Sequence, residues 1–168
     1  HSGNANHGDI NGASWAVSLT YVPDDNFEQA LIDLGYDDVL DDYVVTDSIS
    51  LITYLNVNND SISDLTGIED FTALTTLKCQ DNQLTSLNIS NNTALSILHC
   101  RRNQLTTLDL SNNLFLQDLD ASQNDLDSID LAANDLLVSL GLDNNELTAV
   151  TGVNNKPNLE NIYLRNVA

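Results

Sequence analysis

A gapless internal repeat constrains this chain more than any other feature. Leu74, Leu95, Leu116 and Leu137 follow one another at 21-residue intervals, and the segments they open superpose without insertion. They read LTTLKCQDNQLTSLNISNNTA, LSILHCRRNQLTTLDLSNNLF, LQDLDASQNDLDSIDLAANDL and LVSLGLDNNELTAVTGVNNKPN, the last being one residue longer. A half-unit, LENIYLRNVA, starts at Leu159, and an earlier 22-residue unit, ITYLNVNNDSISDLTGIEDFTA, starts at Ile52. The shared pattern is L-x-x-L-x-L-x-x-N-x-L followed by x-x-L-x-L-x-x-N. Apolar residues alternate in its first part, as a strand with one buried face requires. One unit cannot bury its own leucines, but stacked units share a continuous core.

Composition agrees with a repeat and excludes other classes. Of 168 residues, 28 are Leu and 23 are Asn, whereas a disordered acidic chain would be poor in Leu. No apolar run approaches the roughly 18 residues of a membrane span. Twenty-five acids against five Lys and Arg give a net charge of −20, which repels nucleic acid and anionic membranes at long range. The ninth repeat position carries Asn82, Asn103, Asn124 and Asn145, with Asp60 in the first unit. An amide that donates and accepts can tie its own turn to the next coil, so this column is expected to be a structural ladder. Asn92, Asn113, Asn134 and Asn155 form a second column of the same kind.

The repeat resembles the leucine-rich-repeat family, in particular the 21-residue bacterial class in which a second L-x-x-L-x-L-x-x-N is nested in each unit. The resemblance covers residues 49–168, about 5.5 units. It implies a right-handed solenoid, in the α/β superhelix class but mostly β, with a curved parallel sheet on its concave face. Residues 15–48 read as an N-terminal cap. Asp24 or Asp25 can open a helix over about 25–35, with Glu28 near the third turn position, Phe27, Ala30, Leu31 and Leu34 on one face, and Gly35 as the stop. The stretch YVPDDNFEQALIDLGYDD is similar to the N-terminal segment of secreted bacterial leucine-rich-repeat proteins, which implies a secreted or cell-surface location. Residues 1–14 read as a tag or linker remnant, with order beginning near Trp15. At the other end the uncovered strand edge invites edge-to-edge pairing with a second copy through the C-terminal coil.

Catalytic signals are missing: there is no G-x-S-x-G, no phosphate-binding glycine loop, and His99 has no nucleophile in its column. An enzyme is not expected, nor a cofactor. Cys79 and Cys100 share the inward sixth position, and their parallel Cβ vectors favour two buried thiols over a disulfide. Asp37, Asp38, Asp41, Asp42 and Asp47 lack the spacing of a calcium loop and read as a solvated acidic surface, so no metal site is assigned.

Function is expected on the concave face, where positions three, five, seven and eight point outward. Lys78, Arg101, Arg102 and Arg165 fall there, four of the five basic residues, together with Tyr54, Ile97, His99, Asp118, Asp120 and Tyr163. The plainer alternative is cross-strand pairing of these cations with Asp81, Asp118 and Asp120, but such pairs are worth only a fraction of a kcal/mol. The expected role is a non-catalytic recognition or adhesion module whose partner is a protein. The alternative is an accessory module that binds an acidic extracellular glycan.

Overall fold

The computed structural model describes residues 16–154 and 156–165. The linker reading of residues 1–14, Trp15, Asn155 and the last three residues lie outside these. In chain order the elements are β1 (Leu19–Tyr21), α1 (Asp25–Asp33), β2 (Tyr43–Val45), α2 (Thr46–Ile49), β3 (Tyr54–Asn56), a one-turn 3-10 helix (Ile68–Asp70), β4 (Thr76–Lys78), β5 (Ile97–His99), β6 (Asp118–Asp120), β7 (Ser128–Asp130), β8 (Ser139–Gly141), β9 (Ala149–Thr151) and β10 (Asn161–Tyr163). Neither α-helix is long and apolar enough to cross a membrane.

The repeat forms a parallel six-stranded sheet in the order β3-β4-β5-β6-β8-β10. Its register puts Leu55, Leu77, Leu98, Leu119, Leu140 and Ile162 in one row. The sixth position adds Val57, Cys79, Cys100, Ala121 and Leu142, all inaccessible to solvent. Both cysteines are free and buried, and burial pushes the Cys79 thiol up to about 12, so these are inert core groups. The same two columns open at the last coil, where Ile162 is 47% exposed and Leu164 40%. Among the described residues the nested second strand forms only at β7 and β9, which pair in parallel. In earlier coils the equivalent leucines are buried without a strand.

The ninth-position asparagines make the expected ladder, but toward the preceding coil rather than the following one. Asn103 Nδ2 donates to the carbonyls of Cys79 and Cys100, while its Oδ1 accepts the Leu84 N–H at 3.0 Å. Asn124 and Asn145 repeat this geometry with Leu105 and Leu126. In the first unit, where the ladder position carries Asp60, Asn82 still reaches across, accepting the N–H groups of Asp60 and Ile62. The second column differs from expectation. Asn92, Asn113 and Asn134 each donate to two carbonyls of the preceding coil, but their buried Oδ1 atoms accept nothing.

The cap contains α1 as anticipated, and also an antiparallel β1–β2 pair and the short α2, which periodicity did not reveal. Phe27, Ala30 and Leu31 are buried, and the Phe27 and Phe71 rings lie 6.3 Å apart across the boundary with the first coil. Leu34 is instead exposed, because the helix ends before it and the chain turns at Gly35 (φ 79°). Glu28 makes no capping box. Its Oε1 accepts the N–H groups of Asp41 and Tyr43, which pins the acidic loop to the helix. Tyr21 of β1 crosses Gly67, where a Cβ would stand 2.8 Å from the Tyr21 carbonyl oxygen.

Asp24 joins cap to solenoid. Its Oδ1 caps α1 through Asn26 N–H and Phe27 N–H, and its Oδ2 accepts Ser63 N–H, Ser63 Oγ–H and Asp64 N–H at 2.7–3.0 Å. Burial alone would raise this carboxyl's pKa, but the bonds from Ser63, Phe27 and Asp64 outweigh it and hold it below the ordinary 3.8.

Two outcomes follow from this bonding. Asn103→Ala orphans the buried Leu84 N–H, whereas Asn113→Ala leaves both of its carbonyl acceptors bonded to turn N–H groups. The first should cost more by about 1 kcal/mol or more, measured by urea denaturation. Because its folded pKa is depressed, the Asp24 contribution is complete above the unfolded value near 3.8 and is lost as pH falls through the lower folded value. The stability gap between the native chain and Asp24→Asn, measured by denaturation across that window, should therefore narrow on acidification. A gap that stays constant would remove Asp24 from this role.

Candidate functional site: the concave sheet face

Parallel register builds the face row by row. The third-position row runs Tyr54, Thr76, Ile97, Asp118, Ser139, Asn161, and the fifth-position row runs Asn56, Lys78, His99, Asp120, Gly141, Tyr163. All ten residues expected at the site lie on these rows or on the seventh and eighth positions that follow each strand. They do not form one cluster. Lys78 and Tyr163 are four strand spacings apart, about 19 Å.

The half nearer the cap is basic. Lys78 Nζ sits 5.8 Å from the centre of the Tyr54 ring, a cation–π contact worth about 0.5–1 kcal/mol at an exposed site. Arg101 Nε donates to Gln123 Oε1 at 2.8 Å, and Arg102 Nε shares that acceptor at 3.0 Å. Arg102 also pairs with Asp81 at 3.0 Å, and His99 Nε2 lies 3.1 Å from Asp118 Oδ2. Of the anticipated cation pairs, the one with Asp81 forms, whereas Asp118 meets the His99 ring instead of a Lys or Arg. Asp120 has no ion pair among the described residues.

The half toward the last coil is acidic and hollowed. Here Gly141 replaces the side chain at the fifth position, and the face dips into a depression of about 310 Å³ lined by Asp118, Asp120, Ser122, Gly141, Asp143 and Tyr163, among others. Sequence reasoning concentrated on the cations and gave no role to Gly141, Ser122 or Asp143. The available signal was one glycine in a column otherwise filled by side chains. Arg165 contributes its backbone N–H, which donates to Asp143 Oδ1.

The eighth position corrects a simpler picture. Alternation alone would stand these side chains on the sheet. Instead Asn59, Asp81, Arg102, Gln123 and Asn144 are left-handed, with φ between 55 and 63°. Asn and Asp tolerate that region, but Arg and Gln have no local bond to favour it, and the conformation costs about 1–2 kcal/mol. Arg102 is thus held at a strained position at the sheet's edge.

Against known proteins, 72 residues are 36% identical to Internalin J of Listeria monocytogenes, covering 43% of this chain and 8% of that protein. The solved functional domain of the Listeria monocytogenes InlJ, described as including a cysteine ladder, superposes with a TM-score of 0.63 at 29% identity. That match covers 88% of this chain and 38% of the other. The Listeria monocytogenes internalin inlF superposes with a TM-score of 0.79 at 25% identity, over 86% of this chain and 44% of that one. The fold is that of the leucine-rich-repeat proteins. No protein-family model matches the chain, and it spans less than half the length of each of these relatives.

If the left-handed backbone at the eighth position is a strain, Arg102→Asn should relieve it. We expect the chain to be at least as stable after the change, since an exposed pair such as Arg102–Asp81 contributes under about 1 kcal/mol. Arg102→Val, branched at Cβ, should be clearly destabilising by the same denaturation measurement.

Proposed function

We propose that this chain is a non-catalytic recognition module that binds a protein partner through the concave sheet face, presented outside a bacterial cell. One contrast carries the reading. The inward columns stay apolar in every coil, Leu in one and Val, Cys, Ala or Leu in the other, while the outward rows differ in charge and polarity from coil to coil. Stability needs the first set and is nearly indifferent to the second, so variation confined to one exposed face is what partner recognition requires. Arg102 supports it: a strained Arg is retained where Asn serves in two other coils. Similarity to internalins agrees with an interaction or adhesion role. The location rests on the N-terminal segment's resemblance to secreted proteins, and antibody labelling of intact producing cells would test it.

An acidic-glycan reading is less well supported, because the hollow part of the face is the acidic half rather than the basic one. The test is a panel of variants assayed against a captured protein partner. Arg101→Ala with Arg102→Ala, and separately Ile97→Ala, should weaken capture by at least about tenfold, the usual scale of an interface hot spot. Thr106→Ala, on the outer side of the solenoid, should leave capture intact. Equal losses from the outer variant would defeat the proposal. Binding only to sulfated or carboxylated glycans, collapsing with added salt, would replace the protein reading with the glycan one.

A further inference from the structure

The depression at Gly141 has features that the general reading of the face does not explain. It lies at the small end of ligand pockets, with room for one long side chain rather than a folded element. Three carboxylates line it, Asp118, Asp120 and Asp143, against the single guanidinium of Arg101. Asp120 Oδ1 accepts only the Ser122 N–H at 3.1 Å, and Asp143 Oδ1 accepts the Arg165 N–H. Neither is in an ion pair among the described residues. Within the same lining, His99 Nε2 meets Asp118 and Arg101 Nε donates to Gln123, so neither is bonded to Asp120 or Asp143.

A second observation comes from the floor. Ser122 is only 7% exposed, yet its hydroxyl makes no hydrogen bond among the described residues, and its Oγ stands 3.1 Å from where a Cβ on Gly141 would be. The residue is nearly buried while its hydroxyl lines the depression, where it can take a donor from outside. The missing side chain at Gly141 is what opens the way to it. Its φ lies outside the left-handed range, so the backbone there does not itself require glycine. Tyr163, half-exposed on β10, supplies an aromatic wall.

We propose that this depression receives a single cationic side chain, lysine or arginine, from the protein partner. Asp120 and Asp143 supply charge-assisted acceptors, the Ser122 hydroxyl a third acceptor, and the Tyr163 ring a face for the cation. The proposal rests on the concave face being the protein-binding surface, and it specifies what the partner must present there. It also gives the two halves of the face different tasks: the basic half meets acidic or polar groups, and the acidic half grips one cation.

The test uses the whole chain, labelled with nitrogen-15, and the capped peptide Gly-Gly-Lys-Gly-Gly beside its glutamine counterpart. The lysine peptide should shift the amide signals of Ser122, Gly141 and Asp143 saturably, and the glutamine peptide should not. Gly141→Leu fills the depression without changing charge, and Asp143→Asn removes one acceptor charge. Each should weaken lysine-peptide binding by about tenfold or more, as loss of a charge-assisted bond does. Gly141→Ala is the milder plug if leucine disturbs the sheet, since the nearest atom to a new Cβ is the movable end of Asp120. Equal shifts from both peptides, or unchanged affinity in the plugged variants, would overturn the proposal. So would shifts at these amides from methyl glucoside alone, which would make the depression a sugar site. If the lysine peptide fails while Ile97→Ala still abolishes partner capture, the pocket assignment falls and the concave-face reading stands. If neither behaves as expected, both fall.

Discussion

Everything in this molecule depends on one coil lying on the next in register, and the ninth-position asparagines enforce that contact. A turn between three-residue strands has few backbone bonds of its own. The side-chain amide of Asn103 supplies them by taking an N–H from the coil before and giving its hydrogens to carbonyls on both coils. Leucine packing alone is non-directional and would tolerate a slip. A buried amide that must satisfy a particular N–H does not. The same bonds set the spacing that lets L-x-L segments pair as parallel strands, and so decide which side chains face outward.

Such a stack exposes its core at either end, and the two ends differ. At the beginning, Asp24 uses both carboxylate oxygens, one for the helix and one for the first coil, so the cap and the solenoid share one acceptor. Glu28 then binds the acidic loop to that helix. The many acids of the cap are therefore of two kinds, a few that hold backbone N–H groups and a majority that face water. At the last described coil the core columns become accessible at Ile162 and Leu164.

The face that register creates is uneven in charge, with Lys78, Arg101 and Arg102 on the side of the cap and Asp118, Asp120 and Asp143 toward the last coil, where Arg165 stands beside them. Net charge hides this, because the cations are few and the acids are everywhere. What distinguishes the acidic half is the absence of a side chain at Gly141 and the unused hydroxyl beneath it.

Much of this was legible in the amino-acid sequence, and for a stated reason. A period of 21 residues with leucines at constant offsets has one low-energy solution, so the solenoid, the inward columns, the Asn ladder, the buried cysteines and the outward rows could all be assigned from spacing. Features that break the period were not legible. The β1–β2 pair and α2 lie outside the repeat, and short strands of three residues carry no periodic signal. The left-handed turn at Arg102 and Gln123 is imposed by the coil closing onto its ladder asparagine, against the preference of those residues. The missing acceptor bonds of Asn92, Asn113 and Asn134 reflect the geometry of the outer turns, although their letters match the other ladder. Local pattern thus determined what is buried and what is displayed. Only the tertiary structure decided which displayed groups share a depression, because residues 21 positions apart become neighbours by stacking, and whether their charges pair or stay open is settled by side-chain reach across strands.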